Sequence, residues 1–160
     1  MLKKITFIVL ALTLSLSANA QDWWGKSKRI KGNGNVITVS RTISDYDGIA
    51  VGGSFDVILV KGKEGKITIE GEENIIPYVE TEVKGNTLNV NYQKNTNINT
   101  TKRLTVTITY QDLEMVSLGG SGNITCEGTL KATDLKTSLG GSGNITLNVD
   151  ADELSANIGG

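Results

Sequence analysis

The chain has 160 residues, with 16 Lys and Arg against 17 Asp and Glu, one Cys, no His and a formal net charge of −1. The lack of His excludes a Ser-His-Asp triad, a Cys-His pair and His-based zinc sites. One cysteine leaves no internal disulfide, and a near-neutral chain has no overall footprint for nucleic acid.

In chain order, residues 1–20 read as a signal peptide. Lys3 and Lys4 precede the apolar run Ile5–Leu16, and Ala18-Asn19-Ala20 is a small-residue cleavage site, so the mature chain is expected to begin at Gln21. The apolar run is shorter than the roughly 20 residues a spanning helix needs, and no second long apolar run follows. The mature chain is therefore expected to carry no transmembrane segment, and its expected location is the periplasm, the cell surface or the extracellular space.

Residues 21–44 read as a polar leader that carries the basic cluster Lys26, Lys28, Arg29 and Lys31 and one short strand at Val36–Val39. Strand signals are dense from Tyr46 onward. Val57-Ile58-Leu59-Val60 is an apolar run expected to be covered on both faces. Ile67 and Ile69 alternate with polar residues, as do the stretches Val79–Lys84 and Leu88–Tyr92, and Gly85-Asn86 between those two reads as a hairpin or tight corner. Asn74–Tyr78 has room for one helical turn, and Gln93–Thr101 reads as a polar loop. Leu104, Val106, Ile108 and Tyr110 occupy every second position, the period of a half-buried strand.

The strongest signal is a repeat. Ser117-Leu118-Gly119-Gly120-Ser121-Gly122-Asn123-Ile124-Thr125 recurs as Ser138-Leu139-Gly140-Gly141-Ser142-Gly143-Asn144-Ile145-Thr146. A third copy begins at Ile158-Gly159-Gly160, and a weaker one stands at Val51-Gly52-Gly53-Ser54-Phe55-Asp56-Val57. Such units cannot bury an apolar face alone but can when stacked. The expected fold is therefore all-β, a right-handed parallel β-helix with Gly-Ser-Gly-Asn corners, cut short at the C-terminus. Asn123 and Asn144 are expected to stack as an amide ladder beside Ser121 and Ser142. Leu118, Leu139, Ile124 and Ile145 are expected to form interior stacks, with Asp56 as a corner residue. Cys126 falls in register with Leu147, which makes it a small core side chain rather than a reactive thiol.

The order of these motifs resembles the head GIN domain family, described as auto-transporter adhesins of Bacteroidetes-type bacteria. The carrying residues are Tyr46-Asp47-Gly48-Ile49, Gly53-Ser54-Phe55-Asp56-Val57 with Ile58–Val60, the turn Gly85-Asn86-Thr87-Leu88, the Leu104–Tyr110 stretch and the Gly-Ser-Gly-Asn-Ile units. The resemblance covers residues 45–160 and implies a β-helical fold and export. It supplies no catalytic residues, no metal ligands and no cofactor.

These features point to an exported, non-catalytic module of the envelope or surface with adhesin-like binding. Ser121, Asn123, Ser142 and Asn144 are the candidate binding residues, and a glycan or surface polymer is the candidate partner. An assembly role, with strands pairing end to end between chains, is the alternative. A polysaccharide-acting enzyme would need converging carboxylates; Asp134, Asp150, Asp152 and Glu153 are the local acidic group, and Asp150–Glu153 reads as a solvated connection between strands.

Overall fold

The structure, a computed structural model, describes residues 27–159. The expected signal peptide, Trp23, Trp24 and Lys26 lie outside the described residues. Twelve strands follow in chain order: β1 (Lys28–Lys31), β2 (Val36–Thr42), β3 (Gly48–Gly52), β4 (Asp56–Lys61), β5 (Lys66–Glu72), β6 (Val79–Lys84), β7 (Thr87–Tyr92), β8 (Thr96–Asn99), β9 (Thr105–Tyr110), β10 (Met115–Gly120), β11 (Asn123–Gly141) and β12 (Asn144–Gly159). One 3-10 turn, Ile76–Tyr78, sits between β5 and β6 with Pro77 in its first turn.

The β-helix expectation is overturned. The strands form one mixed sheet of order β2-β5-β9-β4-β11-β10-β3-β7-β6, with β12 on β11, and the sheet is open and curled like half a barrel. Its centre is parallel: β4 beside β9 and β11, and β10 beside β3 and β11. Its flanks are antiparallel: β2 on β5, β5 on β9, and β6 on β7. The turn Gly85-Asn86 shows the reason. Both residues have positive φ (53° and 59°), the backbone of a two-residue hairpin, which reverses the chain at once. A β-helix needs a rotation of constant sense instead. A sequence period sets the register between stacked units, but it does not say whether their sheet closes.

The repeats do lie side by side. Ser117–Gly120 pairs with Ser138–Gly141, and Asn123–Thr125 with Asn144–Thr146. The weaker copy joins them, Val51 beside Leu118 and Asp56 beside Asn123. The core lies on one face of the curl. Alternation on the central strands puts Ile49, Val51, Val57, Leu59, Leu88, Val90, Val106, Ile108, Val116, Leu118 and Ile124 inside. Each such Val, Ile or Leu contributes roughly 1.5–3 kcal/mol. The run Val57–Val60 is covered on one face only: Val57 and Leu59 are buried, while Ile58 and Val60 are half-buried on the other. Burial falls along the repeats. Leu118 and Ile124 are buried, Leu139 and Ile145 half-buried, and Ile158 is 78% exposed.

Two segments read as polar loop and polar leader take part in strand pairing. Thr96–Asn99, inside the expected polar loop, pairs in parallel with Lys28–Lys31 as a separate two-stranded ribbon. β2 runs along an edge of the main sheet, so Val36–Thr42 belongs to the folded unit. Glu72 at the end of β5 joins ribbon to sheet. Its buried carboxylate accepts from the N–H of Gly34 (2.6 Å), from the N–H and hydroxyl of Thr101 (2.8 and 2.6 Å) and from the N–H of Lys102 (3.3 Å).

Candidate binding face

The two copies of Gly-Gly-Ser-Gly-Asn occupy the breaks between β10 and β11 and between β11 and β12. Their backbone steps onto the preceding layer. The N–H groups of Ser121 and Gly122 donate to the Gly53 carbonyl at 3.2 and 3.1 Å, and those of Ser142 and Gly143 to the Gly120 carbonyl, each at 3.0 Å. Gly120 and Gly141 have φ of +140° and +116°, and a Cβ on either would lie 2.5 Å from the carbonyl oxygen of the layer beneath. Only glycine fits a corner both left-handed and in backbone contact.

Beyond the corner, the Asn123 amide donates to Asp56 Oδ1 at 2.7 Å, and the Asn144 amide donates to Asn123 Oδ1 at 3.0 Å. Arg103 Nε stands 3.3 Å from Asp56 Oδ2. The ladder therefore runs Arg103, Asp56, Asn123, Asn144 across four strands or their flanks, with the charge of Asp56 at its base. Charge-assisted and chained hydrogen bonds of this kind reinforce one another. Of the four candidate residues, Asn123 and Asn144 thus have amide partners. Ser121 and Ser142 are exposed, and among the described residues their hydroxyls have no side-chain hydrogen bond. Asp56 and Arg103 complete the row; the sequence marked Asp56 as a corner by its place in the weaker copy and gave no signal for Arg103.

The acidic group is divided. Asp150, Asp152 and Glu153 lie within β12 rather than in a connection. Asp150 and Asp152 line one groove with Asp112 and Lys131, while Glu153 lines another with Asp134, Glu114 and Lys136. Asp150 also pairs with Lys131 at 3.7 Å. Among the described residues no group of three or more His, Cys, Asp or Glu side chains is placed to hold a metal ion.

Cys126 is half-buried beside Leu59, with its Sγ 3.3 Å from the Tyr110 hydroxyl. The register of β11 and β12 shifts between Thr125 and Thr129, so the spacing that equated Cys126 with Leu147 does not carry through the pairing there. Both side chains nevertheless pack against the core. Burial, followed by the neighbouring thiol, pushes the Tyr110 hydroxyl well above its ordinary pKa. A third groove, on the sheet face opposite the core, is lined by Glu80, Glu82, Lys84, Asn89, Asn91, Tyr92 and Lys94. No helix among the described residues is long and apolar enough to cross a membrane.

Three solved structures share this fold. A "putative adhesin" from Bacteroides fragilis is 23% identical with a TM-score of 0.75, covering 81% of this chain and 62% of its own. A "putative adhesin" from Parabacteroides merdae is 25% identical with a TM-score of 0.74, covering 82% of this chain and 55% of its own. A "putative lipid binding protein" from Parabacteroides distasonis is 26% identical with a TM-score of 0.70, covering 82% of this chain and 65% of its own. This chain thus spans less than two thirds of the length of each. No curated protein matches it. The family described as "Putative auto-transporter adhesin, head GIN domain" matches residues 45–160, and the chain belongs to that family.

Proposed function

We propose that this protein is an exported, non-catalytic module of the cell envelope or surface that binds a polymer, a glycan foremost, through the row Ser121, Asn123, Ser142 and Asn144. One observation carries the reading: the corners satisfy their backbone internally, yet turn two equivalent hydroxyls, Ser121 and Ser142, outward in register. The family description supports adhesin-like binding, and the divided acidic residues favour a binding role over hydrolysis. Residues 1–20 serve as the signal peptide and residues 45–160 as the binding domain, onto which β1 and β2 of the preceding segment are paired. N-terminal sequencing of protein recovered from outside the cytoplasm should begin at Gln21; an uncleaved chain would remove the export reading.

Binding is tested on an array of glycans and matrix proteins, with calcium and with chelator. Saturable binding that weakens about tenfold or more in the Ser121→Ala, Ser142→Ala double variant supports the row. No binding by the folded chain under either condition overturns it. A second reading is end-to-end assembly, with strand edges pairing between chains. Light scattering across a concentration series separates the two: growth to oligomers lost in Ile158→Lys supports assembly.

A further inference from the structure

The groove over β6 and β7 is a polar trough, and its construction follows from strand register. Glu80 lies opposite Asn91, Glu82 opposite Asn89, and Lys84 opposite Thr87. Side chains two apart on a strand share a face, so these residues stand together on the side of the sheet away from the buried Leu88 and Val90. On the next strand the partners of Thr87, Asn89 and Asn91 are Gly48, Ala50 and Gly52. The tall polar side chains of β6 and β7 therefore border a low floor on β3. Asn91 lies over that floor, since a Cβ on Gly52 would collide with Asn91 Oδ1. Tyr92 borders the groove, while its ring turns to the core side against Phe55 at a centroid distance of 4.5 Å. The groove is open to solvent, with a volume of about 390 Å³.

The lining chemistry selects the ligand class. Two carboxylates and two ammonium groups leave the trough near neutrality, and Glu82 and Lys84 already pair at 2.7 Å. A polyanion would meet Glu80 and Glu82, and a polycation would meet Lys84 and Lys94. No Val, Leu or Ile is among the lining residues. The Asn89 amide donates to the Thr87 carbonyl at 3.0 Å, which fixes its orientation. Among the described residues the Asn91 side chain has no hydrogen-bond partner. Fixed and open amides, carboxylate acceptors and ammonium donors together match a neutral ligand dense in hydroxyls, each of which both donates and accepts.

We propose that this trough is a subsite for a neutral saccharide, with Asn91 and Glu80 as its principal hydrogen-bonding residues. The proposal rests on the glycan-binding reading for its ligand class and places contact at a second surface, away from the Ser/Asn row.

The test uses the full mature chain labelled with ¹⁵N and titrated with a panel of neutral, acidic and aminated oligosaccharides. Neutral members are expected to shift the side-chain amide signals of Asn89 and Asn91 and the backbone signals of Gly48–Gly52. Asn91→Ala and Glu80→Gln, each with an unchanged melting profile, should weaken that binding about tenfold. Shifts confined to Asn123 and Asn144, or affinity unchanged in both variants, would refute the trough while leaving the row reading intact. A response only to acidic or aminated members would refute the ligand class. A folded chain that responds to no member of the panel would refute both the trough and the glycan reading.

Discussion

A buried carboxylate is costly unless hydrogen bonds replace its hydration. Glu72 is 1% exposed and accepts four such bonds from three backbone positions and one hydroxyl. Burial pushes its pKa up; the hydroxyl and N–H of Thr101 and the N–H groups of Gly34 and Lys102 outweigh that and hold it at about 2, against an ordinary 4.5. A depressed folded pKa stabilises above the unfolded value and loses that contribution as pH falls through the folded one. Glu72→Gln is expected to cost about 3 kcal/mol at neutral pH. In urea melts from pH 7 to pH 2, the gap between the two proteins should close between about pH 4.5 and pH 2. A gap constant with pH would mean that the charge is not what holds the ribbon.

The glycines at the corners differ in kind, and single substitutions should separate them. Gly141→Ala forces a positive φ on alanine and drives its Cβ into the Gly120 carbonyl, and a loss of roughly 1–3 kcal/mol is expected. Gly140→Ala places its Cβ 4.0 Å from its nearest neighbour, without a positive φ, and should fall within about 0.5 kcal/mol of the parent. Thermal melts of the two variants, one residue apart, make the comparison.

At the scale of the element, the amide ladder has an inner and an outer member. Removing the Asn123 side chain takes the donor from Asp56 and the acceptor from Asn144 at once, whereas removing that of Asn144 breaks one exposed bond. Asn123→Ala should cost about 1–2 kcal/mol and Asn144→Ala about 0.5 kcal/mol, by chemical denaturation. The ladder itself was legible in the sequence, because identical residues at a separation of 21 fall into register when the strands run parallel. Its base at Asp56 was legible from the weaker copy. Its end at Arg103 was not, since nothing in a pattern of period two says which strand lies beside β4. The trough was hidden for the same reason. Asn89, Asn91 and Gly52 become neighbours only once β7 is placed beside β3, and polar residues alternating on a strand look alike whether they face open solvent or border a groove.

At the scale of the molecule, strand content and the central rows of Val, Ile and Leu could be read from alternation, yet the architecture could not. Parallel and antiparallel neighbours share the same two-residue period, so β2, β5 and β6 carried no mark of their opposite direction; the Gly85-Asn86 hairpin was the one local sign of reversal. The pairing of β1 with β8 joins two short polar segments distant in the chain, without an apolar pattern to announce it. Burial fades from β10 to β12, and the half-buried Leu139, Ile145, Leu147 and Val149 form an apolar surface with Leu154 and Ile158 along the last strand.

The offset of 21 residues that sets Asn123 on Asn144 also sets Gly120 on Gly141, while beyond the shift between Thr125 and Thr129 the offset of β11 on β12 is 19, as for Thr129 on Asn148. An in-frame copy of residues 122–142, inserted after Ser142, would therefore meet matched neighbours at the corner on both sides. Such a variant should fold, melt above the parent and add one member to the amide ladder, visible as one more protected Asn side chain in hydrogen exchange. A lower melting point would show that the units are not interchangeable. The extent of the outward Ser and Asn surface is in this sense a copy number, which replication slippage can lengthen or shorten without the invention of a new loop.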